Sequence, residues 1–201
     1  MPPRRTPVRT VGASRNSALA RLKELDPSQA ADPRRQAVMA CEVAEMLDAA
    51  DAEVATAAQV WLHTAGAGFA EGILSLLDHP IAHVRRTALS VLFSLKSVAA
   101  DRMPKLLADA RPRVRAAGVE LWNATAPAGD DPAPLLERLI DPAPQVRAAA
   151  SQALAARLRD LREPHAARVM AALQEAAAHP DPAVRAGAVA TTTRLRPRHR
   201  Q

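Results

Sequence analysis

Aromatic residues are nearly missing from this chain, which has two Trp, two Phe and no Tyr among 201 residues. A surface that stacks nucleobases needs several aromatic faces, so base recognition of that kind fits poorly. Cysteine is scarcer still. Cys41 stands alone, which excludes an internal disulfide and leaves nothing to argue for an oxidising compartment. Glycine occurs 7 times, and there is neither a glycine-rich phosphate loop nor a nucleophile elbow. No continuous apolar run approaches the ~18 residues of a membrane span, and no signal-type apolar segment follows the first arginines. The expectation is a soluble, cytoplasmic protein with no membrane attachment, and the Ala- and Arg-rich composition has a bacterial character.

What the chain has in abundance is alanine, 47 of its 201 residues. Alanine loses no side-chain entropy in a helix and lets backbones approach closely, so the composition predicts an all-α protein without sheet. The helices recur in register. HPIAHVRRTA, DARPRVRAAG, DPAPQVRAAA and HPDPAVRAGA repeat one pattern around Val84, Val114, Val146 and Val184, and DAADAEVATAA is a weaker copy around Val54. The valines fall 30, 30, 32 and 38 residues apart, a period that marks stacked units.

Taking the Arg after each valine as origin, the apolar columns separate into two helices per unit. Val43, Ile73, Met103, Leu135 and Leu173 stand twelve residues before it, and Leu47, Leu77, Leu107, Leu139 and Ala177 eight before it. One helical turn apart, they share a face of a first helix, A. Ala58, Ala88, Gly118, Ala150 and Ala188 follow the origin by three, and Leu62, Leu92, Trp122, Leu154 and Thr192 by seven. With the valines they form the stripe of a second helix, B, whose small column is where two helices cross most closely. Between A and B lie Asp78-His79-Pro80, Asp109-Ala110-Arg111-Pro112, Asp141-Pro142-Ala143-Pro144 and Pro180-Asp181-Pro182, in which Asp caps a helix start and Pro suits its first position. The predicted pairs cover residues 33–65, 69–97, 101–126, 132–161 and 165–195. Ser14 to Leu25 is predicted to be a lone capping helix, and Gly66 to Gly68 a turn between units.

The run from Leu139 through Asp141, Val146 and Arg147 to Ala150 resembles the HEAT repeat in its short, HEAT-like or PBS-lyase-like form, and the copies at Leu77, Leu107 and Ala177 resemble it in turn. The resemblance covers most of residues 33–195. It implies a right-handed α-solenoid of about five antiparallel helix pairs, with B helices lining the concave side. It also implies bonds between neighbouring repeats from turn Asp to helix-B Arg, here among Asp78, Asp109, Asp141, Arg85, Arg115, Arg147 and Arg185. The first unit departs from the pattern, with Ala55 in place of the Arg. The repeat region is therefore set at residues 14–195, between a flexible basic tail at 1–13 and a basic C-terminal tail at 196–201.

The net charge of +6 belongs to the ends. Residues 1–23 hold six Lys/Arg and residues 182–201 hold five, with no acid in either, so all 21 acids lie between them with 16 bases. Residues 36–84 carry seven acids and no Lys or Arg, whereas residues 85–115 carry eight bases against Asp101 and Asp109. Such alternation suits complementary protein patches better than a uniform phosphate track. The Arg row of the B helices has two readings, an anion-binding stripe or a structural ladder. Its fixed place beside the buried valine favours the ladder, since Arg suits partly buried pairs.

No residue set reads as a catalytic, cofactor or metal site. Asp78, His79 and His83 are better explained as helix-capping residues than as metal ligands, because Pro80 interrupts them and no second ligand pair follows. Cys41 has no base nearby in sequence and reads as an ordinary, half-buried thiol. Trp122 falls in a buried column, while Trp61 sits one position before it, partly exposed. What remains for recognition is Arg86, Ser90, Phe93, Arg113, Glu120, Asn123, Gln152 and Arg159, outside the buried columns on the B helices. The expectation is a non-enzymatic scaffold or adaptor whose shallow alanine-lined trough takes a helix or extended peptide of a partner protein. The alternative is nucleic-acid binding through the basic tails and the zone from Arg85 to Arg115.

Overall fold

Capping residues and proline cut this chain into short helices. A computed structural model describes residues 15–127, 129–157 and 161–195, with backbone alone at 194 and 195. Among the described residues there is no strand. Helix α1 (Arg15–Glu24) comes first, followed by the pairs α2 (Pro33–Leu47) with α3 (Ala52–Ala65), α4 (Ala70–Ser75) with α5 (Ala82–Ser94), α6 (Lys96–Leu107) with α7 (Pro112–Thr125), α8 (Ala133–Arg138) with α9 (Pro144–Arg157), and α10 (His165–Ala177) with α11 (Pro182–Leu195). The A helices are α2, α4, α6, α8 and α10; the B helices are α3, α5, α7, α9 and α11. The second and third pairs are separated by Leu95 alone, so α6 starts five residues before the expected position 101.

Local chemistry sets these ends. Asp32 accepts the N–H groups of Arg34 and Arg35 at 2.9 and 3.0 Å, and Asp51 those of Glu53 and Val54 at 2.9 and 3.2 Å. Each satisfies donors that the first turn leaves open. In the A–B turns Asp109, Asp141 and Asp181 accept from Arg111, Ala143 and Ala183. Asp78 does not. It ends a 3-10 turn, and the Nδ1 of His79 accepts the Ile81 N–H at 3.3 Å instead.

The repeated columns become one core. Val54, Val84, Val114, Val146 and Val184 are each at most 2 % exposed, and the A-helix columns are buried with one exception. Ala177 is exposed and Ala176 takes its place, just as Thr191 is buried where Thr192 is only half-buried. Both shifts fall in the last pair, whose Ala176, Val184 and Ala188 form a cluster apart from the main core. Among the described residues this pair has a neighbour on one side only, which narrows the stripe that must be covered. Along the chain α3 packs on α5, α5 on α7, α7 on α9 and α9 on α11, while α1 packs on α3.

Two glycines mark close approaches. A Cβ at Gly118 would stand 3.1 Å from the Leu106 backbone, where α6 and α7 cross. At Gly72 it would lie 2.5 Å from the ring of Phe69, which is fully buried. Beside them the buried Gln36 donates to the Ala30 and Gly68 carbonyls at 3.1 and 2.9 Å and accepts the Gly72 N–H at 3.1 Å. Gly72→Ala is therefore expected to cost about 1–3 kcal/mol through displacement of the ring, read as a lower urea midpoint. An unchanged midpoint would mean that the ring has room to move.

The stretch Ala52–Asp78, 27 residues with a mean hydropathy of 1.2 over its most apolar window, has the length and composition of a membrane span. Its structure is divided. Gly66, with φ of 61°, ends α3 and opens a 3-10 turn before α4, and Val54, Leu62, Phe69 and Ile73 all enter the core.

Candidate interaction surface

Because successive B helices pack in series, a residue at one register repeats as a row. Five residues after the origin stand Val60, Ser90, Glu120, Gln152 and Ala190, and all five are exposed. Ser90, Glu120 and Gln152 are among the residues expected at the surface, and Val60, 58 % exposed, joins them. Its place five after Ala55 was the available signal. Arg86 and Arg113 are also exposed and make no hydrogen bond or ion pair among the described residues. Phe93 is half-buried against the core. Asn123 is half-buried too, with its Oδ1 accepting from Arg157 Nε at 3.2 Å. Arg159 lies outside the described residues.

Glu120 is distinctive electrostatically. It is exposed at its outer edge, yet the surrounding protein removes part of the carboxylate's water, and this desolvation raises its pKa above the ordinary value. No cation or donor offsets that loss among the described residues.

The arginine row has another task. Arg85 Nη1 donates to the His79 and Pro80 carbonyls at 2.5 and 2.8 Å, Arg115 to Asp109 and Ala110 at 2.8 and 3.0 Å, Arg147 to Asp141 and Pro142 at 2.8 and 2.9 Å, and Arg185 to His179 and Pro180 at 2.8 and 2.7 Å. Each guanidinium thus closes the A–B turn of its own pair by binding two carbonyls of the turn itself. Among the described residues, a bond from a helix-B Arg of this row to the turn Asp of a neighbouring unit occurs once. Arg115 Nε and Nη2 meet Asp141 Oδ2 and Oδ1 at 2.8 and 2.9 Å, a two-pronged pair almost shut off from solvent. Asp109 pairs with Arg111 of its own turn at 2.9 and 3.1 Å, so it does not serve as the partner of Arg85.

Internal pairing also trims the basic zone. Of its eight bases, Arg85 and Arg115 hold turns, Arg102 pairs with Glu71 at 2.5 Å, and Arg111 with Asp109. Arg86, Lys96, Lys105 and Arg113 remain outward. His83 joins the first two pairs, its Nε2 lying 2.8 Å from the Leu47 carbonyl and its Nδ1 3.8 Å from Asp48. Cys41 is exposed, not half-buried.

Both tryptophans serve packing. Trp61 donates its indole N–H to the Leu25 carbonyl at 3.0 Å and meets Phe69 edge to face at 5.1 Å. Trp122 is buried with the guanidinium of Arg157 4.5 Å above its ring. Arg157 donates further to the carbonyls of Asn123, Ala126 and Pro127 at 2.8, 2.6 and 2.9 Å. It thereby clamps the last turn of α9 onto the end of α7. Side-chain columns give no hint of the clamp, because the carbonyls it binds carry no sequence mark.

The class defined by these features is an all-helical protein of helix pairs whose B helices pack in series and carry an exposed row from Val60 to Ala190. The chain matches no known protein-family model and no curated protein.

Proposed function

We propose that the chain is a right-handed α-solenoid of the HEAT-like type, acting as a non-enzymatic adaptor that holds a helix or extended peptide of a partner protein along its B helices. The reading is supported above all by Glu120, a partly desolvated carboxylate without a partner, central in an exposed row running from Val60 to Ala190. A cationic group of the bound segment would restore what the carboxylate lacks, and the flanking Ser90 and Gln152 supply neutral hydrogen bonds. The Arg row contributes shape, since the Nη1 of each is taken by two turn carbonyls.

Replacing Glu120 by Arg and Gln152 by Trp together should weaken partner retention at least tenfold, while the melting temperature stays within a few degrees of wild type because both residues point outward. Affinity pull-down from the native host with wild type and variant checks this; equal recovery of the same proteins would exclude the row as the interface. The nucleic-acid reading rests on Arg86, Lys96, Lys105 and Arg113 with the terminal tails. It requires affinity that falls steeply with salt and collapses when both tails are removed.

A further inference from the structure

The first helix covers a surface whose chemistry differs from that of the B-helix row. α1 turns one face inward, with Leu22 buried, Ala18 and Leu19 half-buried and Leu25 buried just beyond its end, while Asn16, Ser17, Ala20, Arg21, Lys23 and Glu24 are exposed. Its remaining holds are ionic. Arg21 donates to Glu42 of α2 at 2.9 and 3.1 Å, and Arg15 pairs with Glu53 of α3. The four side chains are 37–54 % exposed, so salt screens these pairs and they hold α1 only weakly.

Beneath α1 lies an acid-rimmed apolar slot. Glu42 stands on α2 and Glu53 on α3, each paired with an arginine of α1, and no Lys or Arg between residues 36 and 84 offsets them. Leu22 and Leu25 enter the cluster that holds Val43, Ala58 and Leu62, and the Trp61 indole reaches the Leu25 carbonyl. A ten-residue helix seated on Leu22 and Leu19, tied at its end by Leu25 and the Trp61 indole and otherwise by solvent-exposed charges, opens at lower cost than the pairs, which are packed along their length.

We propose that the slot across α2 and α3 is a docking site for a basic amphipathic helix of a partner protein, with α1 as its exchangeable occupant in cis. Charge complementarity selects the occupant: two leucines three residues apart for the floor, and cations for Glu42 and Glu53. The tether keeps α1 at high effective concentration, so an incoming helix binds more weakly than the bare slot would allow.

A labelled peptide of residues 15–25 is the probe, titrated into the full chain by fluorescence anisotropy. Leu22→Asp, which unseats α1, should tighten peptide binding at least tenfold, and Glu42→Lys with Glu53→Lys added to that chain should weaken it at least tenfold. Arg15→Glu with Arg21→Glu loosens α1 by charge alone and carries the first expectation if Leu22→Asp fails to fold. Absence of binding to the unseated chain, or binding indifferent to the two acids, would overturn the proposal. So would a dimer of the intact chain that Leu22→Asp dissolves, which would give the slot to α1 of a second copy.

Discussion

Asp141→Ala is expected to lower unfolding free energy by about 3–5 kcal/mol, because it leaves a buried guanidinium without its counter-charge. The Asp141 and Arg115 side chains are 2 % and 11 % exposed. Arg115 would retain only the Asp109 and Ala110 carbonyls, and the Ala143 N–H would lose its acceptor. Urea unfolding measures the loss. Removing both charges, as Arg115→Met with Asp141→Leu, should cost less than Asp141→Ala alone, since nothing ionic remains buried. If the double change is as damaging as the sum of the single ones, the pair is not coupled.

The same carboxylate makes acid sensitivity specific. Burial disfavours its charge, but the bonds from Arg115 and the Ala143 N–H outweigh that effect, with help from nearby Arg138, and hold its pKa below the ordinary value. Unfolded Asp, titrating at about 3.9, therefore takes up its proton before the folded residue does. The stabilisation is complete above that pH and drains away as pH falls through the lower folded value. In Asp141→Asn, melting temperature should fall less steeply between about pH 5 and pH 2 than in wild type; parallel curves would assign the acid sensitivity elsewhere.

Arg157→Ala is the second large loss, about 2–4 kcal/mol, because charged hydrogen bonds to carbonyls vanish and the α7 end is left unpaired. Trp122 loses the cation above its ring. Arg157→Lys is the sharper test: an ammonium keeps the charge but cannot span Asn123, Ala126 and Pro127 as a planar fork does. It should recover less than half of the stability in thermal melting. Full recovery would mean that charge alone matters.

Much of this arrangement was legible because valine and small residues return in phase and fix which side of each helix turns inward. Val54 is the clearest case, placed correctly although the motif around it is weak. The rung between Arg115 and Asp141 and its failure at Asp109 differ by one residue: Arg111 follows Asp109 by two and captures it, where Ala143 follows Asp141. That contrast was visible but needed geometry to interpret. Arg157 was not legible, because the carbonyls it binds carry no sequence mark. Of the candidate trough, Ser90, Glu120 and Gln152 share a row as their register predicts, whereas Phe93 and Asn123 lean toward packing.

The arginines that close the A–B turns of the last four pairs do so over five or six residues of chain. Contacts this local form without first closing a long loop, so loop-closure entropy does not slow them. A nascent chain emerging from the ribosome can therefore set one hairpin before the next has been made, with the Arg115 and Asp141 pair then coupling the third hairpin to the fourth. Folding that starts in any one hairpin and spreads to its neighbours is the kinetic signature of that arrangement.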